Sequence, residues 1–341
     1  MPIVTIGLDL SKSVFQLHAV DENGAVVMRK KLSRTQVLPT LEKIPPCLIG
    51  MEACGSAHHW AREISALGHE IRLMPAQYVK PYVKRNKTDS ADAEAICEAV
   101  TRPTMRFVAV KSVEQQAMML NHRGRELLVK QRTMLANAIR AHLAEFGVVT
   151  AQGTRNLDKL KQIAKNGALA KSAMEVLDIL FEQFEELNTR IKALELRIHA
   201  AHKNNEISQR LTSIPGIGPL TASAIVVSVG EAKNFQSARS FAAWLGLTPR
   251  EYSSGGKQVL GSISKRGDGY IRKLLVHGAR AVVRMRSRKN AEPMPWLDGL
   301  LERKHRNAAT VALANKNARV VWALLNSGQV FEKARGQESM A

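Results

Sequence analysis

The sequence predicts an α/β domain followed by a mostly helical remainder, an α/β plus α chain. Three features carry this reading. Residues 1–110 hold short apolar runs of strand character, first in hairpin order and then alternating with helix. Residues 111–205 are poor in Gly and Pro and carry long helical periodicities. Residues 206–335 are Gly-rich and strongly basic.

Taken in order, Ile3 to Leu10 is a short apolar run and Val14 to Val20 alternates loosely. Asp21-Glu22-Asn23-Gly24 is a turn signal, after which Ala25 to Lys31 resumes an extended pattern. Cys47 to Met51 is a fourth strand, reached after Pro45-Pro46. A helix is expected from about Ala57 to Leu67, ended by Gly68, and a fifth strand from Glu70 to Met74, stopped by Pro75. Val113 to Phe146 is a long amphipathic candidate helix. Leu177, Leu180, Phe184, Leu187, Ile191, Leu194 and Ile198 step alternately by three and four, a heptad seam that suits a dimer contact or an ordinary core helix. Ile214-Pro215-Gly216-Ile217-Gly218-Pro219 opens the last region and runs into a helix over Leu220 to Val229. The tail after Lys333 is polar, and a frayed end is expected there.

The 341 residues suffice for two or three domains. Lys and Arg number 50 against 30 Asp and Glu, a formal net charge of +20. Such an excess favours a polyanionic partner held through phosphate contacts. Cys47, Cys54 and Cys97 form no C-x-x-C pair, which argues against a zinc site or a disulfide framework. No apolar run approaches the roughly 20 residues needed to span a bilayer. The start, Met1-Pro2-Ile3-Val4, lacks the pattern of a secretory signal, so a cytoplasmic protein is expected.

Four carboxylates draw attention. Asp9 lies in the first strand and Glu52 ends the fourth. Asp89 and Asp92 stand three apart on one face of a helix start, with Thr88 as N-cap. Alone, each has an ordinary explanation: a turn, a solvated strand end, or a complement to the helix dipole. If the first and fourth strands are neighbours, Asp9 and Glu52 sit side by side, and the helix brings Asp89 and Asp92 opposite. Hard oxygen ligands of that kind suit Mg²⁺ or Mn²⁺. Two such ions roughly 4 Å apart serve phosphodiester transfer.

The segments Gly7-Leu8-Asp9-Leu10-Ser11-Lys12, Met51-Glu52-Ala53-Cys54-Gly55 and Lys87-Thr88-Asp89-Ser90-Ala91-Asp92-Ala93 resemble the DEDD transposases of bacterial insertion sequences. This is the insertion sequence 110 family, related to the Piv-type invertases. The resemblance continues through Ile214–Gly218, Trp244-Leu245-Gly246-Leu247-Thr248-Pro249, Ser253-Ser254-Gly255-Gly256-Lys257 and Ile263-Ser264-Lys265-Arg266-Gly267. It implies a RuvC-like, ribonuclease-H-like domain over 1–110 with Asp9, Glu52, Asp89 and Asp92 as metal ligands. A helical coiled-coil, dimerising region over 111–205 and a transposase domain over 206–335 follow. It also implies a serine that forms a covalent link to DNA, guidance by a structured bridge RNA, and dimers that pair into a tetramer in synapsis.

Ser254, directly before glycine, is the expected nucleophile and Ser253 the fallback; a plain Ser-Gly turn is the ordinary alternative. No base stands near it in sequence, so metal held by the N-terminal region is the expected activator. Gly216 and Gly218 belong to a helix-hairpin-helix-like turn that could offer backbone N–H groups to a phosphate. Lys273, His277, Arg280 and Arg284 form one basic helix face; Lys265, Arg266, Arg286, Arg288, Lys289 and the run Arg303-Lys304-His305-Arg306 add charge nearby, and Lys257 is a further candidate contact. A solvated face is the usual reading of such a stripe; the chain-wide charge tilts it toward phosphate. Two other readings stay open: a hydrolytic nuclease or junction resolvase on the same fold, and a non-catalytic nucleic-acid-binding protein.

Overall fold

The computed structural model describes residues 2–84, 88–167, 169–230, 232–286, 288 and 292–331. Lys87, Lys289 and the tail beyond Lys333 lie outside these residues. The chain divides into two compact units, Met1–Val113 and Glu114–Ala341, so the expected helical and C-terminal regions share one unit.

The first unit begins with an antiparallel meander, β1 (Thr5–Asp9), β2 (Val14–Val20) and β3 (Val26–Ser33). Its β2–β3 turn is set by Asp21, whose Oδ1 accepts from the backbone N–H of Asn23 and Ala25, both at 2.9 Å. There follow α1 (Val37–Leu41), β4 (Leu48–Glu52), α2 (Ala57–Ser65) and β5 (Glu70–Met74), then α3 (Ala76–Val79) and α4 (Asp89–Val100). The five-stranded sheet runs β3-β2-β1-β4-β5, with β4 parallel to both β1 and β5. This is the mixed α/β sheet expected from strands that come first in hairpins and then alternate with helices.

Alternation decides which element covers which face. Ile6, Leu8, Phe15, Leu17, Ala19, Leu32, Ile49, Met51 and Leu73 point to one side and pack with Leu41 of α1 and Trp60 and Ile64 of α2. The other side belongs to α4. A Cβ on Gly7 would stand 2.1 Å from the Ala93 carbonyl oxygen, and one on Gly50 would stand 2.7 Å from the Val100 Cβ. Gly7 and Gly50 pair across β1 and β4, so together they leave the slot in which the helix lies.

The second unit comprises α5 (Val113–Glu145), α6 (Leu157–Asn166), α7 (Lys171–Lys203), α8 (Glu206–Leu211), α9 (Pro219–Val229) and α10 (Ala238–Trp244). A hairpin of β6 (Pro249–Glu251) and β7 (Leu260–Ile263) precedes α11 (Gly269–Met285), α12 (Pro295–Arg303) and α13 (Arg306–Ser327). One core is built from α9, α10, α11 and α13, with Phe241, Ile271, Leu275, Leu313 and Val321 inside. Another joins α5, α6 and α7 through Ile139, Leu143, Leu160, Phe181 and Phe184.

The heptad seam of α7 is therefore not a free dimer surface. Leu177 and Phe184 pack on α5 and α6, and Leu187, Ile191 and Ile198 are also buried in the chain. The same periodicity serves an intramolecular contact, because a seam records only that some partner covers it. An open apolar stripe lies instead on α5: Leu120, Leu127 and Met134, each seven residues from the next, are 71%, 55% and 61% exposed.

A buried polar link fastens α5 to the rest of this unit. His122, 2% exposed, bonds through Nδ1 with the Tyr270 hydroxyl at 3.2 Å and through Nε2 with the Ser223 hydroxyl at 3.1 Å. Burial, then the nearby Arg125 and Arg123, push its imidazole from 6.5 down to about 4. The unfolded chain thus takes up a proton between pH 6.5 and 4 that the folded chain does not. Stability from this group is full above 6.5 and falls as pH drops, by about 3 kcal/mol across the interval. Thermal denaturation from pH 7 to 4 checks it: His122→Gln should lose stability at pH 7 and show a flatter pH dependence. Parallel curves for the two proteins would refute it.

Candidate metal centre and nucleic-acid interface

The carboxylates assemble because two strand ends and one helix start coincide. Asp9 ends β1 and Glu52 ends the adjacent parallel β4, both half-buried. Thr88 caps α4 by accepting from the Ala91 N–H at 3.2 Å, so the helix starts at Asp89 with Asp92 in its first turn. Carboxylate oxygens of Asp9, Asp89 and Asp92 all lie within 4.8 Å of one another. Glu52 stands outside that tightest group but close enough to act on the Asp9 charge.

The donor set fits a divalent cation. Burial, then repulsion from Asp92, Asp89 and Glu52, pushes the Asp9 carboxyl from 3.8 up to about 6. Like charges gathered this closely oppose one another, and a cation between them removes the opposition. The donors are all carboxylate oxygens, the hard ligands that Mg²⁺ and Mn²⁺ prefer.

Two further side chains, passed over in the sequence, stand level with this cluster. Asp9 pairs with Gln16 on β2, and Gln16 pairs with Lys31 on β3, so the three share one transverse row on the α4 side of the sheet. Strand alternation combined with the position of the β2–β3 turn was the signal that could have found them.

In the second unit, the serine segment forms the tip of a hairpin, the turn that its Ser-Gly sequence allows. Ser254 N–H donates to the Lys257 carbonyl at 3.3 Å and Lys257 N–H donates to that of Ser254 at 3.0 Å, closing a turn. Gly255 and Gly256 at its centre have φ of 54° and 77°, the left-handed pair that a two-residue hairpin turn demands. Ser253 Oγ accepts from the Val259 N–H at 3.2 Å and so helps to hold the hairpin. Ser254 and Lys257 are exposed at the tip.

The basic residues fall into different circumstances. On α11, Arg280 and Arg284 are exposed. Lys273 shares that face but is ion-paired with Glu126 and lies 5.2 Å from the Tyr270 ring, which makes it a weaker phosphate candidate than its spacing suggested. Lys265 adopts φ 55°, a conformation costing a lysine about 1 kcal/mol, and its N–H donates to the Gly246 carbonyl at 3.1 Å. Two distant motifs, Trp244–Pro249 and Ile263–Gly267, therefore touch. Lys265, Lys273, Arg272 and His277 line a shallow cavity of about 220 Å³; Arg266 is exposed.

The Ile214–Gly218 turn joins α8 to α9. A Cβ on Gly216 would meet the Gly278 carbonyl oxygen at 2.9 Å, so this glycine is needed for packing against α11. This packing requirement explains the glycine by itself, without a phosphate contact. Gly218 caps α9 with open space around it, and Pro219 removes one of the free N–H groups there. No helix among the described residues is long and apolar enough to cross a membrane.

Comparison with known proteins gives two family matches. Residues 6–147 match a family described as "Transposase", and residues 208–292 match the "Transposase IS116/IS110/IS902 family". The chain is 50% identical over 330 residues to a "Probable family 20 transposase" of Pseudomonas aeruginosa, covering 96% of this chain and 98% of that one. It is 41% identical to the "Transposase for insertion sequence element IS1328" of Yersinia enterocolitica, over 98% of this chain and 100% of that one. A third relative, the "Transposase for insertion sequence element IS1111A" of Coxiella burnetii, is 42% identical over 96% of this chain and 91% of its own length.

The carboxylate repulsion makes a testable prediction. Without divalent metal, Asp9→Asn should raise the melting temperature of the first unit by about 4 °C, the shift expected from roughly 1 kcal/mol. Mn²⁺ should stabilise the parent protein and have little effect on the variant. Calorimetry with and without Mn²⁺ measures both, and an undiminished Mn²⁺ shift in the variant would exclude Asp9 as a ligand.

Proposed function

The chain belongs to the IS110/IS116/IS902 family of insertion-sequence transposases, DNA-cutting enzymes, and from that premise we propose how it cuts and rejoins DNA. Asp9, Glu52, Asp89 and Asp92 hold divalent metal, Mg²⁺ or Mn²⁺, on a RuvC-like domain, and Ser254 is the nucleophile. The observation that carries the metal reading is the convergence of Asp9, Asp89 and Asp92 within 4.8 Å, with Glu52 at the neighbouring strand end. Metal bound there would offset charge on the phosphate and activate the attacking oxygen.

The chain's own groups have definite tasks. The Ser254 Oγ attacks phosphorus, a phosphorus–oxygen bond in the DNA strand breaks, and the departing deoxyribose oxygen takes up a proton. The serine proton passes to solvent. The seryl ester keeps the bond energy, so a hydroxyl of another strand can displace Ser254 without ATP. Both serines are exposed, but the Ser253 Oγ is engaged by the Val259 N–H, which favours Ser254 over its neighbour. Arg280 and Arg284, with Lys257, Lys265 and Arg266, contact phosphates, and the α8–α9 turn offers the open Gly218 end as a helix-hairpin-helix-like contact. A structured bridge RNA selects donor and target DNA. That assignment rests on the resemblance alone. Self-association uses the exposed α5 stripe, because the α7 seam is occupied within the chain.

Ser254→Ala should bind metal and DNA like the parent yet form no covalent adduct and no recombinant product. Denaturing the reaction and mapping the DNA-linked peptide by mass spectrometry tests this. An adduct on Ser253 would move the assignment by one residue, and an active preparation with no adduct would overturn the covalent step. Replacing any of the four acids with Ala should abolish strand cleavage.

Leu127→Asp should move the protein toward monomer in sedimentation velocity, whereas an unaltered distribution would remove α5 as the self-association face.

A further inference from the structure

The row formed by Asp9, Gln16 and Lys31 crosses the sheet from the carboxylates to its edge. Strands stand about 4.8 Å apart, so the Lys31 backbone is about 10 Å from that of Asp9. Among the described residues, the position of α4 explains why this row is open. It covers the next row, Gly7–His18–Arg29, in which His18 is buried and Arg29 is ion-paired with Glu94 of α4 at 3.6 Å. Lys84 is also engaged by Glu94, at 2.7 Å. Level with Asp9 the helix only begins, and Gln16 is left half-buried and Lys31 exposed. Among the described residues Lys31 has no ion-pair partner, although acids lie two strands away.

We propose that Gln16 and Lys31 form a ledge that holds the backbone of the DNA strand beside the phosphate under attack. The proposal rests on the carboxylate site above. The carboxylates, with metal, receive the reacting phosphate. Gln16 donates from its amide to the adjoining sugar–phosphate, and Lys31 neutralises a phosphate within a few nucleotides of it, since phosphates rise about 3.4 Å each along a strand. The ledge gives the strand a direction, from β1 toward β3, which a spherical ion cannot provide. Lysine at a sheet edge also discourages edge-to-edge pairing. That role would belong equally to Lys30, the adjacent residue on the same edge strand, which is exposed and faces the other side of the sheet, paired with Leu17.

Lys30 therefore provides the control. The experiment uses the full chain with the exposed thiol removed by Cys54→Ser, since Cys47 and Cys97 are buried. Lys31→Cys and Lys30→Cys are each mixed with a duplex DNA oligonucleotide bearing a disulfide-tethered phosphate, in Ca²⁺. Capture by Lys31→Cys should exceed that by Lys30→Cys about tenfold, a difference of roughly 1.4 kcal/mol. In the Cys54→Ser protein, Lys31→Glu should weaken binding of the same DNA without the tether and flatten its salt dependence by about one unit of slope. Lys31→Arg should preserve both, and Lys30→Glu should change neither. Equal capture at the two positions, equal effects of the two charge reversals, or preferential capture of a matching RNA oligonucleotide would overturn the ledge. Recombination by Asp9→Ala would instead strike at the carboxylate reading, so the two failures are distinguishable.

Discussion

The close seat of α4 on β1 and β4 governs the first unit. Gly7 and Gly50 lie side by side, and a methyl group at either position would collide with the helix. With both present, the helix axis approaches the sheet closely enough for Asp89 and Asp92 to reach Asp9. A longer side chain in this slot would lift the helix and separate the carboxylates, even with every acid retained. Thr88 sets the other coordinate, because the capped end fixes which residues occupy the first turn.

That seat concentrates negative charge in a chain whose overall charge is +20. Without a cation, the cluster repels the very phosphates that the chain's basic excess attracts. Burial first, and then this crowding of like charge, raise the Asp9 carboxyl. A divalent ion resolves both difficulties, since it satisfies the carboxylates and presents positive charge to the phosphate. The two lysines of β3 show how sharply such a surface is divided: alternation sends Lys31 to the carboxylate side and Lys30 to the opposite one.

The second unit applies close packing to a different end. Gly216 and Gly278 bring the α8–α9 turn against α11, the helix whose exposed face carries Arg280 and Arg284. His122 secures α5 to α9 and α11 through two hydroxyls, so the long helix is anchored near one end by polar contacts and near the other by the α6–α7 core. The stripe at Leu120, Leu127 and Met134 is on the side that neither anchor uses.

Strands, long helices and the positions of the four acids at strand ends and a helix start were legible in the sequence, because alternation, heptad spacing and turn chemistry are local. Val14–Val20 and Glu70–Met74 have the expected bounds, and the N-cap at Thr88 lies where Thr-Asp-Ser-Ala-Asp indicated. The short α6, the β6–β7 hairpin and the α13 core helix have no comparably strong local pattern and emerged only in the fold. By itself the sequence determined which residues are chemically suited to metal and phosphate, and which faces are apolar. Tertiary structure decided what covers each face: α7's seam was closed by its own chain, α5's stripe was left open, Lys273 was paired with Glu126, and Gln16 and Lys31 were brought level with Asp9. The physical reason is that periodicity specifies the direction of a side chain within its own element, whereas a contact depends on the register and approach of a second element distant in sequence.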